Sequence, residues 1–200
     1  MPSKVSISET ATSLEGHFLI AMPGIEGEPF ERTVIYLCAH SPNGAMGFII
    51  NKPQPTSFTE LLTQLGIVES ESDIRAPSSA LSVSVCRGGP VEQSRGFVLH
   101  SADYDSESTV AVDEDVALTP TTDILRAISQ GVGPRTAIMA LGYSGWAPGQ
   151  LEEEIAQNGW LTCKADLSIV FSADLSEKYE QALALLGINQ AFLNAEAGHA

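Results

Sequence analysis

Basic residues are scarce in this sequence: 10 Lys plus Arg stand against 25 Asp plus Glu, a formal charge of −15 in 200 residues. Affinity for nucleic acid comes chiefly from phosphates neutralised by Lys and Arg, and the chain has no basic run. Its field repels DNA, RNA and anionic lipid surfaces alike, so neither direct nucleic-acid binding nor membrane association is expected. Cysteine is also scarce. Cys38, Cys86 and Cys163 are far apart, form no CxxC pair and stand at no zinc-ligand spacing from a histidine. All three lie in apolar runs and read as buried, reduced thiols of a cytoplasmic protein. No stretch reaches about 18 apolar residues, the length of a membrane-crossing helix. The opening MPSKVSISETATSLEG is polar and lacks the apolar centre of a secretory signal. Residues 1–14 are read as a flexible arm and residues 15–200 as one domain.

The chain does hold enough apolar material for a core, 44% of its residues. His17–Met22 is apolar and of strand length. Thr33–His40 is β-branched and almost continuously apolar, as in a strand covered on both faces. Ser41-Pro42-Asn43-Gly44 signals a turn, and Gly44–Asn51 reads as the hairpin partner, with Gly47 as a candidate bulge. Ser57-Phe58-Thr59-Glu60 is a capping box opening a helix whose Phe58, Leu61, Leu62 and Leu65 share a face. Strands are expected at 81–87 and 96–101, around the turn Gly88-Gly89-Pro90. Residues 103–115 hold six acids and read as a solvated hairpin or loop. A second helix packs through Ile124, Leu125 and Ile128. The run Arg135–Leu141 reads as a buried strand ending in a tight glycine turn at Gly142–Trp146. A third helix starts near Gln150, with Glu152, Glu153 and Glu154 in the first turn complementing its dipole. Residues 161–171 read as one or two strands, and a last helix places Leu175, Tyr179, Leu183 and Leu186 inward. Strands in runs, not strictly alternating with helices, predict an α+β fold: a large mixed or antiparallel sheet flanked by about four helices.

Several chemistries fail on spacing. A nucleophile elbow needs Gly-x-Ser-x-Gly, whereas Gly142-Tyr143-Ser144-Gly145-Trp146 brings its second glycine one place early. No phosphate-cradling glycine motif occurs. Asp103, Asp105, Glu107 and Glu114 fall at calcium-loop positions, but Ser108 stands where the loop's sharp turn needs glycine. No metal site and no cofactor is expected. His17, His40, His100 and His199 are scattered and read as structural.

Two clusters remain as candidate sites. Asn51-Lys52-Pro53 ends an apolar strand at a sheet edge, where sites often form. The segment Gly142, Tyr143, Gly145, Trp146 through Gln150 is a glycine-bracketed aromatic pair leading into a helix N-terminus, an arrangement suited to anchoring a partner or an anion. The competing reading makes its aromatics core.

The same residues resemble a known family. Gly16-x-x-Leu19-Ile20-Ala21-Met22-Pro23 is similar to the opening motif of the YqgE/AlgH family. Phe30–Leu37 with His40, and Gly44–Gly47 through Ile50-Asn51-Lys52-Pro53, are similar to its next two. Gly88-Gly89-Pro90-Val91, Arg95–His100, Gly142–Trp146 with Gly149–Glu152, then Asn158, Trp160 and the closing Gly198-His199-Ala200 complete the likeness over residues 16–200. Glu28 stands where Asp is common, and Tyr179 where Trp is expected. The resemblance implies a bacterial cytosolic protein with a complex α+β fold around a large sheet. It implies no settled activity, and members carry a regulator label through association with alginate control. The charge of −15 makes any such role indirect. Two hypotheses follow: a non-enzymatic module binding another cytosolic protein or a small ligand through Gly142–Gln150, or an enzyme with a pocket joining Asn51, Lys52, Arg87 and His100.

Overall fold

Alternation along the strands builds the molecule. In the computed structural model, which describes residues 12–24 and 29–189, β1 (His17–Ala21), β2 (Val34–Ser41) and β3 (Gly44–Ile49) are adjacent antiparallel strands. Successive side chains point to opposite faces. Phe18, Ile20, Val34, Tyr36 and Phe48 therefore enter one apolar cluster, while Leu19, Ala21, Ile35, Leu37 and Ile49 enter another on the far face. A strand covered on both faces has to be apolar at nearly every position, which accounts for the unbroken composition of residues 34–38.

β4 (Ser84–Arg87) and β5 (Val91–Ser101) follow, then a short hairpin of β6 (Val110–Ala111) and β7 (Val116–Thr119), then β8 (Ala137–Trp146) and β9 (Trp160–Lys164). The nine-stranded sheet runs β6-β7-β5-β8-β3-β2-β1-β9, and β4 pairs parallel to β8 off that path. The sheet is thus antiparallel throughout except for β4. The first face carries a cluster shared by both halves, closed by α4 (Leu167–Val170) and α5 (Lys178–Leu185) through Ile169, Tyr179 and Leu183. On the other face α3 (Gln150–Ala156) covers one half through Leu151. There α1 (Phe58–Gln64) and α2 (Asp123–Ser129) cover the other half, packing on Val98 and Met139. The expected capping box forms: Ser57 Oγ accepts from Glu60 N–H, and the Glu60 carboxylate accepts from Ser57 N–H.

The architecture is the expected α+β domain, with five α-helices among the described residues where about four are predicted. Three local expectations are corrected. The register shift in the first hairpin lies on β2, between Leu37 and Ala39, and not at Gly47. Glycine is needed at 47 because a Cβ there would stand 2.7 Å from Ile35 Cγ2 and from Tyr36 O. Residues 167–170 are helical, so residues 161–171 hold one strand and one helix. Leu186 is the exposed C-cap of α5, and its place on the inner face is taken by Lys178 and Ala182. Much of the expected arm, residue 28 and the closing tripeptide lie outside the described residues.

Candidate functional site

The Gly142–Gln150 segment departs most from expectation. No turn follows Leu141. β8 continues to Trp146, pairing with β4 and β5 over its first half and with β3 over its second, where Gly47 faces Ser144 and Ala45 faces Trp146. Gly142 serves this change of neighbours. Its φ is +76°, and a Cβ would lie 2.7 Å from Gly89 O and 2.8 Å from Val91 O. The glycine lets β8 bend under the Gly88–Pro90 turn without ending.

The aromatics of the segment follow from that continuation. Trp146 is 7% exposed and joins the cluster of Leu19, Leu37, Leu151 and Trp160. Its ring meets Trp160 edge-on at 6.2 Å. One oxygen of Glu154 accepts both indole N–H groups, each at 2.8 Å, and the other accepts from Gln150 Nε2 at 3.0 Å. Gln150 Oε1 in turn accepts from Ala147 N–H. Tyr143 is half-buried, edge-on to Phe97 at 5.9 Å. Ser144 is buried and its Oγ donates to Gly88 O, so no nucleophile is presented. The surface aromatic expected at 146 is core, and the exposed remainder is Gly145 with Ala147–Gln150.

Asn51 is likewise occupied. Its Oδ1 accepts from Val34 N–H at 2.9 Å and its Nδ2 donates to Arg32 O at 2.8 Å, clamping the start of β2. Lys52 Nζ donates to Glu31 O. Arg87 is exposed and lies beside Lys52 through a backbone bond. His100 is elsewhere, opposite Ala137 at the far end of the β5–β8 ladder. It is fully buried, with Nδ1 against Ser101 O and Nε2 against Thr119 Oγ1. Burial pushes its pKa down, leaving a neutral ring bridging two strands. The four residues of the enzymatic alternative do not share a pocket.

Asp103 accepts from Ser101 Oγ and from Arg135 N–H and Nε. Burial acts upward on its carboxyl, but these bonds hold it below the usual range. Among the described residues, no group of three or more His, Cys, Asp or Glu side chains could hold a metal ion. No described helix is long and apolar enough to cross a membrane.

A different place has the form of a ligand site. Between α1, α2 and the outer face of β5 and β8 lies a cavity of about 330 Å³. Its walls are Leu61, Leu65, Val98, Leu125, Met139 and Leu141, and its mouth carries Gln93, Ser94, Thr121 and Thr122. Small-molecule sites are typically concave and mostly apolar, with a few polar groups fixing orientation. Arg95 is the one charged residue in the lining, and its guanidinium is turned away, 5.0 Å over the Phe97 ring and paired with Glu92. Apart from Arg95, the lining carries no charged residue, on a chain of charge −15. Sequence reading missed it because its polar groups come from two distant places, an irregular stretch of β5 where pairing with β8 shifts between Val91 and Gly96 and the Thr121-Thr122 entry to α2. The one signal available was the polar run Gln93-Ser94-Arg95 next to a strongly apolar strand.

Comparison with known proteins agrees with this fold. The AlgH-like family, DUF179, matches residues 18–191. A UPF0301 protein of Rhizobium etli is 57% identical over 186 residues, 93% of this chain and 92% of the relative. One of Rhizobium meliloti is 55% identical over 187 residues, 94% and 93% of the two chains. The solution structure of the AlgH protein from Pseudomonas aeruginosa, 40% identical, superposes with a TM-score of 0.73 over 100% of both chains. A crystal structure from Corynebacterium diphtheriae, 17% identical, shares the fold with a TM-score of 0.64 over 87% of each.

Proposed function

We propose, from the premise that the chain belongs to the AlgH-like family, that it is a non-enzymatic binding module whose ligand is a compact, uncharged apolar molecule held between α1, α2 and β5. One observation carries this reading: an apolar cavity of about 330 Å³ with a neutral polar mouth on a strongly acidic protein. Leu65, 49% exposed at its edge, is the apolar surface such a ligand would cover. Any regulatory effect is then indirect, because a chain of charge −15 is a poor partner for duplex DNA.

The test uses N-phenyl-1-naphthylamine, a neutral apolar fluorophore, titrated into the full chain. Saturable, blue-shifted fluorescence is expected for the wild type. Ser94→Trp and Thr122→Trp place an indole in the mouth and should weaken binding by at least about tenfold, a loss of roughly 1.4 kcal/mol. Circular dichroism checks that both variants stay folded. No saturable binding, or binding indifferent to both variants, rejects the site. A partner protein on the exposed surface of Gly145 and Ala147–Gln150 is the second reading. A fluorophore site that no cytosolic small molecule can displace would favour it.

A further inference from the structure

The segment Thr12–Glu15 is fastened to the sheet through one imidazole. His40 sits near the end of β2, just past the register shift, and its side chain is almost wholly buried. Leu14 N–H donates to His40 Nδ1 at 3.0 Å. A ring nitrogen that accepts carries no proton, so the neutral tautomer has its hydrogen on Nε2. There it donates to Glu152 Oε1 on α3 at 2.8 Å. The His40 backbone closes the same joint: its N–H donates to Glu15 Oε1 at 3.2 Å and its carbonyl accepts from Ser13 Oγ. Thus three elements meet on one ring, and one of the bonds depends on a nitrogen lone pair.

We infer that His40 is a proton-operated latch, holding residues 12–15 on the sheet when neutral and releasing them when protonated. Protonation adds a hydrogen to Nδ1, so two donors, Leu14 N–H and Nδ1–H, then face each other. The charged groups bonded to His40 are Glu15 from the segment, at its backbone N–H, and Glu152 from α3, at Nε2. The loss therefore falls on the Leu14 bond, while the Glu152 bond strengthens. Release stops at Gly16, whose N–H donates to Leu37 O at 2.9 Å and does not involve the ring. The Leu14 side chain packs against the cluster beneath β1 and β2 and resists detachment, so the effect is a local opening. Glu15 also walls a polar cavity of about 330 Å³ beside Tyr36 and Lys164, which the same event opens.

The test follows the full, uniformly 15N-labelled chain by NMR across the titration of His40. At high pH the His40 shifts should report an unprotonated Nδ1. As the ring takes up its proton, the hydrogen-exchange protection factor of Leu14 should fall roughly tenfold, the worth of one backbone hydrogen bond, while that of Gly16 stays constant. His40→Asn keeps an acceptor for Leu14 N–H and no titrating proton, so Leu14 protection should become independent of pH. Glu152→Gln keeps an acceptor for Nε2–H but removes the charge facing it. In this variant the Leu14 change should still coincide with the His40 titration wherever that then falls, a readout that stands even if the His40 variant does not fold. A protonated Nδ1 at high pH, Leu14 protection unmoved through the titration, or protection following His17 instead of His40 would overturn the latch.

Discussion

Replacing Trp146 by alanine separates an anchor from a core residue. An exposed aromatic anchor can be removed for little loss of stability, within about 1.5 kcal/mol, with the effect confined to partner binding. The structure demands a much larger loss. Trp146 is 7% exposed among Leu19, Leu37, Leu151 and Trp160, and truncating a buried Trp to Ala costs about 3–5 kcal/mol through lost transfer energy and the cavity left behind. The Trp160 ring loses its edge partner as well. The carboxylate of Glu154 keeps Trp160 and Gln150, so no buried charge is stranded and the cost should not run far beyond that range. Trp146→Phe isolates the hydrogen bond: most ring area remains and Nε1–H is gone, for about 1–2 kcal/mol, because bonds to charged groups are worth about 1.5–3 and Glu154 is partly exposed. Urea denaturation followed by far-UV circular dichroism measures both, with tryptophan fluorescence avoided since the mutation removes one of the two tryptophans. A Trp146→Ala loss below about 1.5 kcal/mol would refute the clamp and restore a surface role to the indole.

The remaining predictions concern buried groups. Lys178 is fully buried with Nζ donating to Val170 O at 2.7 Å, and burial lowers its pKa to about 8. With the folded value below the unfolded one, the unfolded chain binds more protons above pH 8, so stability rises with pH there. The buried Cys86 thiol, pushed up to about 12, acts oppositely above its ordinary value. The comparison is therefore wild type against Lys178→Met, in which that effect cancels: wild type should gain about 1 kcal/mol per pH unit on the variant between pH 8 and 10, and a constant difference in denaturation midpoints counts against it. Gly142→Ala should cost at least about 2 kcal/mol, since φ is +76° and the new Cβ meets backbone oxygens that cannot retreat; thermal denaturation within a degree or two of wild type would show that β8 does not bend as described.

The strands were legible where composition leaves one choice. Residues 34–38 are apolar at every position, and a strand buried on both faces has no polar slot. The Ser57 capping box was legible because its two bonds are local to four residues. Residues 161–171 misled for the opposite reason. Leu167-Ser168-Ile169-Val170 has β-branched members, but Asp166 accepts from Ser168 N–H and turns the chain into a helix. A single side-chain cap outweighed propensity over four residues.

The site was less legible because glycine carries two meanings that sequence alone does not separate. At Gly142 and Gly145 the sequence reads as the end of a strand. In the structure Gly142 marks a change of neighbours within a continuing strand, and the oxygens demanding it belong to Gly89 and Val91, about fifty residues earlier in the chain. Once β8 runs on, Trp146 must alternate inward with Gly142 and Ser144, which are also buried. The alternation changes parity near Gly142, which sends Tyr143 to the face of Ile138 and Ala140, and from there period 2 turns Trp146 to the opposite, covered face. Glu154 completes the inversion. Its place in a run of three acids at a helix start invited a dipole reading, yet its carboxylate joins two indoles and a glutamine. What the segment shares with a binding site, a rigid turn, aromatic rings and hydrogen-bonding groups held close, is what any polar-capped core requires. The decisive difference lies in whether the bonding groups have partners. Those of Trp146, Gln150, Asn51 and Ser144 do. At the mouth of the α1–α2–β5 cavity the same test divides the polar groups: Gln93 Nε2 donates to Pro90 O and Thr121 Oγ1 bonds Ser108 Oγ, while the Thr122 hydroxyl, without a capping bond at the N-cap of α2, belongs to an exposed residue. The case for a ligand there therefore rests on the apolar walls and not on the polar rim.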